Sequence, residues 1–154
     1  MIEQYDLSFL NLSSIENKLL NIHANTHGLL TKGVSSFNVD APLFSYSEFK
    51  GLCVIIEQYV KSYCKKQNIP IPLLINSWYN ITLPGSELKT HNHGAEGLSG
   101  ALYISVGERS VPLAFSDTKI QPWPGLLIIF PSHLDHYTQR EKERRVVISF
   151  NLDY

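Results

Sequence analysis

The spacing of apolar positions changes once along the chain. In the segment Leu12 to Ile22, Ile15, Leu19 and Ile22 recur at helical intervals and predict a first helix, with Ser13 or Ser14 placed to cap it. Residues 46–67, "YSEFKGLCVIIEQYVKSYCKKQ", predict a longer helix, because Phe49, Cys53, Ile56, Val60 and Tyr63 recur at three and four. Ser45 and Glu48 spell an S-x-x-E capping box, and Lys65 and Lys66 suit the negative end of the helix dipole. The segment "NIPIP" stops that helix. Beyond it, "LLINSWYNITL", "GLSGALYISV", "PLAFS", "GLLIIF" and "RRVVISFNLDY" are short β-branched or aromatic runs separated by Pro and Gly, which predict strands. Residues 24–45 follow neither period; polar and Gly-containing, they read as a loop with the capacity to cover a site.

Helices followed by strands predict an α+β fold: a helical part over about 1–70 packed on a sandwich or barrel over about 71–154. A single domain spanning 1–154 is expected, since two cores cut from 154 residues would each approach the size at which burial barely offsets chain entropy. The hydrophobic share of 44% and charged share of 18% are those of a globular chain, and a net charge of -1 offers no general attraction to nucleic acid or anionic lipid. The start, "MIEQYDLSFLNLSS", lacks the basic and apolar blocks of a secretion signal, and no apolar run is long enough to span a bilayer. A soluble protein of the cytoplasm is expected. Cys53 and Cys64, eleven residues apart in one helical pattern, would lie roughly 16 Å apart along a helix, beyond disulfide reach, and read as buried thiols.

The chemistry concentrates in the histidines. In "KTHNHGAEGLSG", His91 and His93 share parity, so an extended backbone sends both imidazoles to one face. "GLLIIFPSHLDH" ends an apolar strand at Pro131 and delivers a third imidazole, His136. Three such ligands on one face can hold a divalent metal and leave its opposite positions free for substrate or oxygen. His133 and Asp135 form a second, weaker H-x-D pair. His23 and His27, four apart without the glutamate of a zinc-hydrolase helix, read as exposed helix-end histidines. Trp78 and Trp123 read as core or pocket wall. Arg145 sits in the apolar run "RVVISF", where burial of a guanidinium requires an anionic partner, whereas Arg144 reads as exposed. Arg145, Val147 and Ser149 alternate onto one face.

In order along the chain, "NSWYNI", "HNH", "LSGALYIS", "GLLIIFPSHLDH" and "RRVVISFNL" resemble the 2-oxoglutarate and Fe(II)-dependent oxygenases found often in phage and bacterial genomes. The resemblance covers roughly half of the chain; the N-terminal half matches only in helical character. It implies a double-stranded β-helix, a jelly-roll core backed by N-terminal helices. It implies His91, His93 and His136 as ligands of Fe(II), and Arg145 as the cation for the distal carboxylate of 2-oxoglutarate. Ser149 would add a hydroxyl to that carboxylate, and Tyr103 is either a second polar contact or a core tyrosine. The activity implied is hydroxylation of a C–H bond with release of succinate and CO₂, using O₂ and an unidentified substrate: a peptidyl residue such as proline, or a small metabolite. The sequence departs from the wider superfamily in two ways. The second ligand position holds His93 rather than an acidic residue, with Glu96 near enough to serve instead, and Val147 stands where the family's strand often has Ser.

Two other readings share the fold. A cupin-type enzyme would use metal on His91, His93, Glu96 and His136 without 2-oxoglutarate. A non-catalytic module would grip a peptide or polymer, with residues 24–45 as recognition surface. Exposed strand edges leave a homodimer possible.

Overall fold

The computed structural model describes residues 1–154. The chain opens with a strand that its short, polar sequence conceals, β1 (Glu3–Asp6), followed by α1 (Leu12–Leu19) and β2 (Gly33–Ser35). Two 3₁₀ turns, Leu43–Ser45 and Ser47–Phe49, lead into α2 (Lys50–Gln67). Eight strands complete it: β3 (Leu73–Thr82), β4 (Leu88–His91), β5 (Leu98–Ser105), β6 (Leu113–Phe115), β7 (Lys119–Ile120), β8 (Leu126–Pro131), β9 (His136–Thr138) and β10 (Arg145–Asp153).

Helix α1 starts where expected but with another cap, and α2 begins later than predicted. Helix α1 is capped by Asn11, whose Oδ1 accepts from the Ser14 N–H at 3.1 Å, so Ser13 and Ser14 lie within the first turn. It ends at Leu19, and Ile22 packs on the core from beyond it. The S-x-x-E box does not form. Ser45 Oγ donates instead to the Pro42 carbonyl at 2.6 Å, and residues 47–49 are spent on a 3₁₀ turn, so α2 starts at Lys50 without a side-chain cap. Its end follows expectation, with Lys65 and Lys66 in the last turn and Asn68 at φ 56° in the left-handed conformation that closes a helix. Cys64 is buried and Cys53 half-buried, and both are free thiols.

A six-stranded sheet runs β1-β8-β5-β10-β3-β2, and a four-stranded sheet runs β4-β9-β6-β7. From β3 onward the chain alternates between them, with only the β6–β7 hairpin staying in one, which makes a double-stranded β-helix. The N-terminal part is therefore not wholly helical, because β1 pairs with β8 and β2 with β3 at the two edges of the larger sheet.

Period two decides what each face of that sheet does. On β10, Val146, Ile148, Phe150 and Leu152 enter the core with Leu19, Phe49, Ile56, Val60 and Tyr63 of the helical layer. The alternate residues Arg145, Val147, Ser149 and Asn151 face a cavity between the two sheets. Strand β5 repeats the division, sending Leu102 and Ile104 to the helices and Ser99, Ala101 and Tyr103 to the cavity. Strand β3 sends Tyr79 to the helices and Trp78, Asn80 and Thr82 to the cavity.

Gly100 lies opposite Phe150 in the β5–β10 pairing, on the helix-facing side, and a Cβ there would meet the Phe150 ring. Phe150 is fully buried and cannot swing aside. Gly100→Ala is accordingly expected to destabilise the protein by about 1–3 kcal/mol through overpacking, read as a lowered urea midpoint at unchanged slope.

Candidate functional site

The cavity, about 240 Å³, has the larger sheet as one wall and β4, β9 and β6 as the other. Strands β4 and β9 are antiparallel, and their register sets His91 directly opposite His136. β4 ends at His91, so His93 is not on the strand that parity predicted. It reaches the same point because its backbone N–H donates to the Ser132 carbonyl at 2.9 Å, which folds the loop back onto the β8–β9 turn. Asn92 reinforces this, donating from Nδ2 to Asp135 Oδ1 at 2.8 Å. The three imidazoles converge, with ring centroids 4.3–5.1 Å apart and one potential ligand atom from each within 4.8 Å of the others.

Their electrostatics suit a cation. Burial, and then the neighbouring His136 and His91, hold His93 down at about 3 from the ordinary 6.5. Burial likewise lowers His136 to about 4, against the opposing effect of the Leu134 carbonyl. Both rings are neutral at physiological pH and carry a free lone pair. The Nδ1 of His91 lies 2.7 Å from the Lys89 carbonyl, and that of His136 lies 2.9 Å from the Leu134 carbonyl. Each Nδ1 must donate a proton there, which leaves Nε2 as the lone-pair nitrogen. His93 Nδ1 is 3.4 Å from the Asn151 amide, which in turn accepts from Ser99 Oγ. Three imidazole nitrogens converging from one face fit a divalent transition metal.

Arg145 is buried at 3% exposure and lines the same cavity. Its anionic partner is internal: Glu141 Oε2 lies 2.8 Å from Nη1, and the Val111 carbonyl accepts from the same nitrogen at 3.2 Å. The Nε donor at the other end has no partner. Glu141, fully buried, also accepts from Ser110 Oγ and from the backbone N–H groups of Val111, Lys142 and Glu143. Tyr103 is buried against the guanidinium, its ring centroid 5.8 Å from the Arg145 Cζ, and it forms cavity wall rather than helix-side core. Ser149 lines the cavity too.

Other candidates separate from the site. Glu96, His133 and Asp135 are exposed, and none belongs to the converging group. His23 is exposed beside Asp40 at 3.6 Å, and Arg144 pairs with Glu16 at 3.2 Å. Trp78 is buried in the cavity wall, while Trp123 is exposed at 37%. His27 overturns its reading as a helix-end histidine: it lies on the 24–45 loop, lines the cavity, and stands edge-on to Phe37, which stands edge-on to Trp78. That loop therefore covers the site. No local pattern marks His27, since the chain's return path places it. Asn80 and Asn151 were legible by parity with Trp78 and Arg145.

No family model matches the sequence, and no curated protein matches it. Solved structures do. A Pseudomonas putida prolyl-4-hydroxylase is similar at TM-score 0.73 and 12% identity, over 99% of this chain and 91% of that one. A viral collagen prolyl hydroxylase from Paramecium bursaria Chlorella virus-1, solved with 2-oxoglutarate, is similar at TM-score 0.74 and 15% identity, over 98% and 94%. HygX from Streptomyces hygroscopicus, bound to nickel, 2-oxoglutarate and hygromycin B, is similar at TM-score 0.70 and 10% identity, over 99% and 82%. At these identities the likeness establishes a shared fold.

Two predictions follow from the site's charges. His93 and His136 bind fewer protons folded than unfolded, so protonation favours the unfolded chain as pH falls. The metal-free protein should lose stability from about pH 6.5 down to about 4 for His136 and about 3 for His93, and His93→Phe should flatten that slope in urea melts taken across the range; an unchanged slope would contradict the depressed values. Glu141→Gln leaves a buried guanidinium uncompensated and should cost about 3–5 kcal/mol, measured by thermal or urea unfolding.

Proposed function

We propose that this protein is an Fe(II)- and 2-oxoglutarate-dependent oxygenase that hydroxylates a C–H bond of a second substrate. The observation that carries the reading is the convergence of three imidazoles in a cavity that also holds a buried arginine with an unused donor. His91, His93 and His136 would hold the iron. The Nε end of Arg145 would receive the distal carboxylate of 2-oxoglutarate, while Glu141 fixes the guanidinium from its Nη1 end. Ser149 supplies a hydroxyl on the same strand face, and Tyr103 packs the arginine into place. Iron held there would supply the oxidising chemistry, in which O₂ and the keto acid give succinate and CO₂ and the second oxygen atom goes into the substrate C–H bond. The chain's own residues bind and orient the reactants, and the loop carrying His27 and Phe37 limits water at the mouth.

The substrate we propose is a peptidyl residue such as proline, by analogy with the two prolyl hydroxylases of the same fold. A small metabolite is the alternative, since HygX of that fold was solved with hygromycin B. One observation favours a different chemistry, a metal enzyme without 2-oxoglutarate: Glu141 already neutralises Arg145. Against a cupin-type ligand set stands Glu96, exposed and apart from the histidines. Against a non-catalytic module stands the convergence of the imidazoles themselves.

Anaerobic addition of Fe(II) and 2-oxoglutarate should produce a visible metal-to-ligand charge-transfer band. It should weaken in Arg145→Ala and vanish in His136→Ala. Iron binding with no band at saturating 2-oxoglutarate would point to the enzyme without that co-substrate, and no iron binding to the module. Succinate release across a panel of proline-containing peptides and small metabolites would then separate the substrates.

A further inference from the structure

The larger sheet is left open along part of one edge. On the side of β3 away from β10, β2 pairs only with Asn80 to Thr82, and the backbone of Tyr79 is met by Ser36. Ser77 is served by side-chain bonds: its N–H donates to Asn76 Oδ1 at 2.9 Å, and its Oγ accepts from the Phe44 N–H at 2.9 Å. No strand pairs with Leu73 to Asn76 on that side. These four residues include neither the lysine nor the proline that protects a sheet edge. Instead Leu73 and Ile75 are each more than half exposed. A groove runs between this edge and α2, and Lys50, Cys53 and Glu57 of the helix line it opposite the strand.

The charges on that helix identify what fits the edge. Lys50 and Glu57 stand seven residues apart, two turns on one face of α2, with Val54, more than half exposed, between them. Neither forms an ion pair within the chain, and Glu57 only accepts from the Cys53 thiol at 3.4 Å. A strand that pairs with its own copy about a two-fold axis does so antiparallel, and the helices beside the two strands then run antiparallel as well. An axis through the 53–54 step of α2 lays Lys50 of each copy against Glu57 of the other and brings Val54 to its own copy. One surface thus carries both halves of its own charge complement.

We propose that the protein forms a two-fold dimer in which the free edges of β3 join the two larger sheets and the N-terminal halves of the α2 helices pack across the axis. The same strand supplies Trp78, Asn80 and Thr82 to the cavity, so the dimer braces one wall of the site. The proposal is independent of the reaction.

The test is sedimentation velocity on the full chain over a dilution series. The wild type should sediment as a dimer that dissociates on dilution. Leu73→Lys and Ile75→Lys should each weaken association about tenfold or more by placing an unpaired charge in the joint, with circular dichroism showing that the fold persists. Lys50→Glu and Glu57→Lys should each weaken it by about tenfold, because either change sets like charges together across the axis. The double variant restores opposite charges and should regain wild-type association, a recovery that serves if the β3 variants do not fold. Val54→Cys, in a Cys53→Ser background, should be joined into a covalent dimer by a short bismaleimide. A wild type that is monomeric at every concentration would overturn the proposal. A dimer indifferent to the β3 lysines, single charge swaps that the double variant does not rescue, or failure of the cross-link would place the contact elsewhere and overturn it as well.

Discussion

The register of β10 is the constraint on which the rest of the protein depends. This strand is paired along nearly its whole length on both sides, by β3 and by β5, and its two faces have opposite characters. Val146, Ile148, Phe150 and Leu152 lie in the core under the helices, while Arg145, Val147, Ser149 and Asn151 line the cavity. A slip of one residue against either neighbour would drive a guanidinium, a hydroxyl and an amide into the apolar layer and expose the core residues to the cavity. Burial of the helix-facing set thus fixes the position of the polar set, and the site is held in place by the same packing that stabilises the fold.

Within that frame the cavity manages charge in two ways. Where cations would repel, it holds side chains neutral: burial and mutual proximity keep His93 and His136 unprotonated, and backbone carbonyls fix which nitrogen of His91 and His136 carries the proton. Where a permanent cation is required, it provides the counter-charge from the chain. Glu141 takes one end of Arg145, and the remaining carboxylate capacity ties down the 110–111 segment and the β9–β10 turn. Breaking the pair would leave one charge buried alone, whereas intact it is self-contained, with one donor edge of the guanidinium left over.

What the sequence made legible followed from periodicity. Strand alternation correctly put Arg145, Val147 and Ser149 on one face, the apolar runs matched the strands of the larger sheet, and His91, His93 and His136 were brought together. Where geometry rather than period decides, local pattern failed. His93 lies beyond the end of β4 and arrives through a loop bond to Ser132, for a reason other than parity. The capping box of α2 was lost to a pair of 3₁₀ turns, and β1 and β2 were too short and too polar to register as strands, although they close the edges of the larger sheet. His27 and Glu141 had no local signal at all, because each acquires its neighbours through contacts distant in the chain.

In the proposed reading, His93 would stand where an acidic metal ligand is usual, and the pairing of Arg145 with Glu141 is best understood together with it. A site with one carboxylate on the metal and a free arginine carries the same formal charge as one with three neutral imidazoles and a neutralised arginine; the negative group has moved from the metal end of the cavity to the distal end. In the proposed reading, a divalent iron beside a cancelled Arg145–Glu141 pair still matches the two negative charges of 2-oxoglutarate. The distribution differs, with the electrostatic pull concentrated at the imidazoles and the distal end relying on directed hydrogen bonds rather than on net charge.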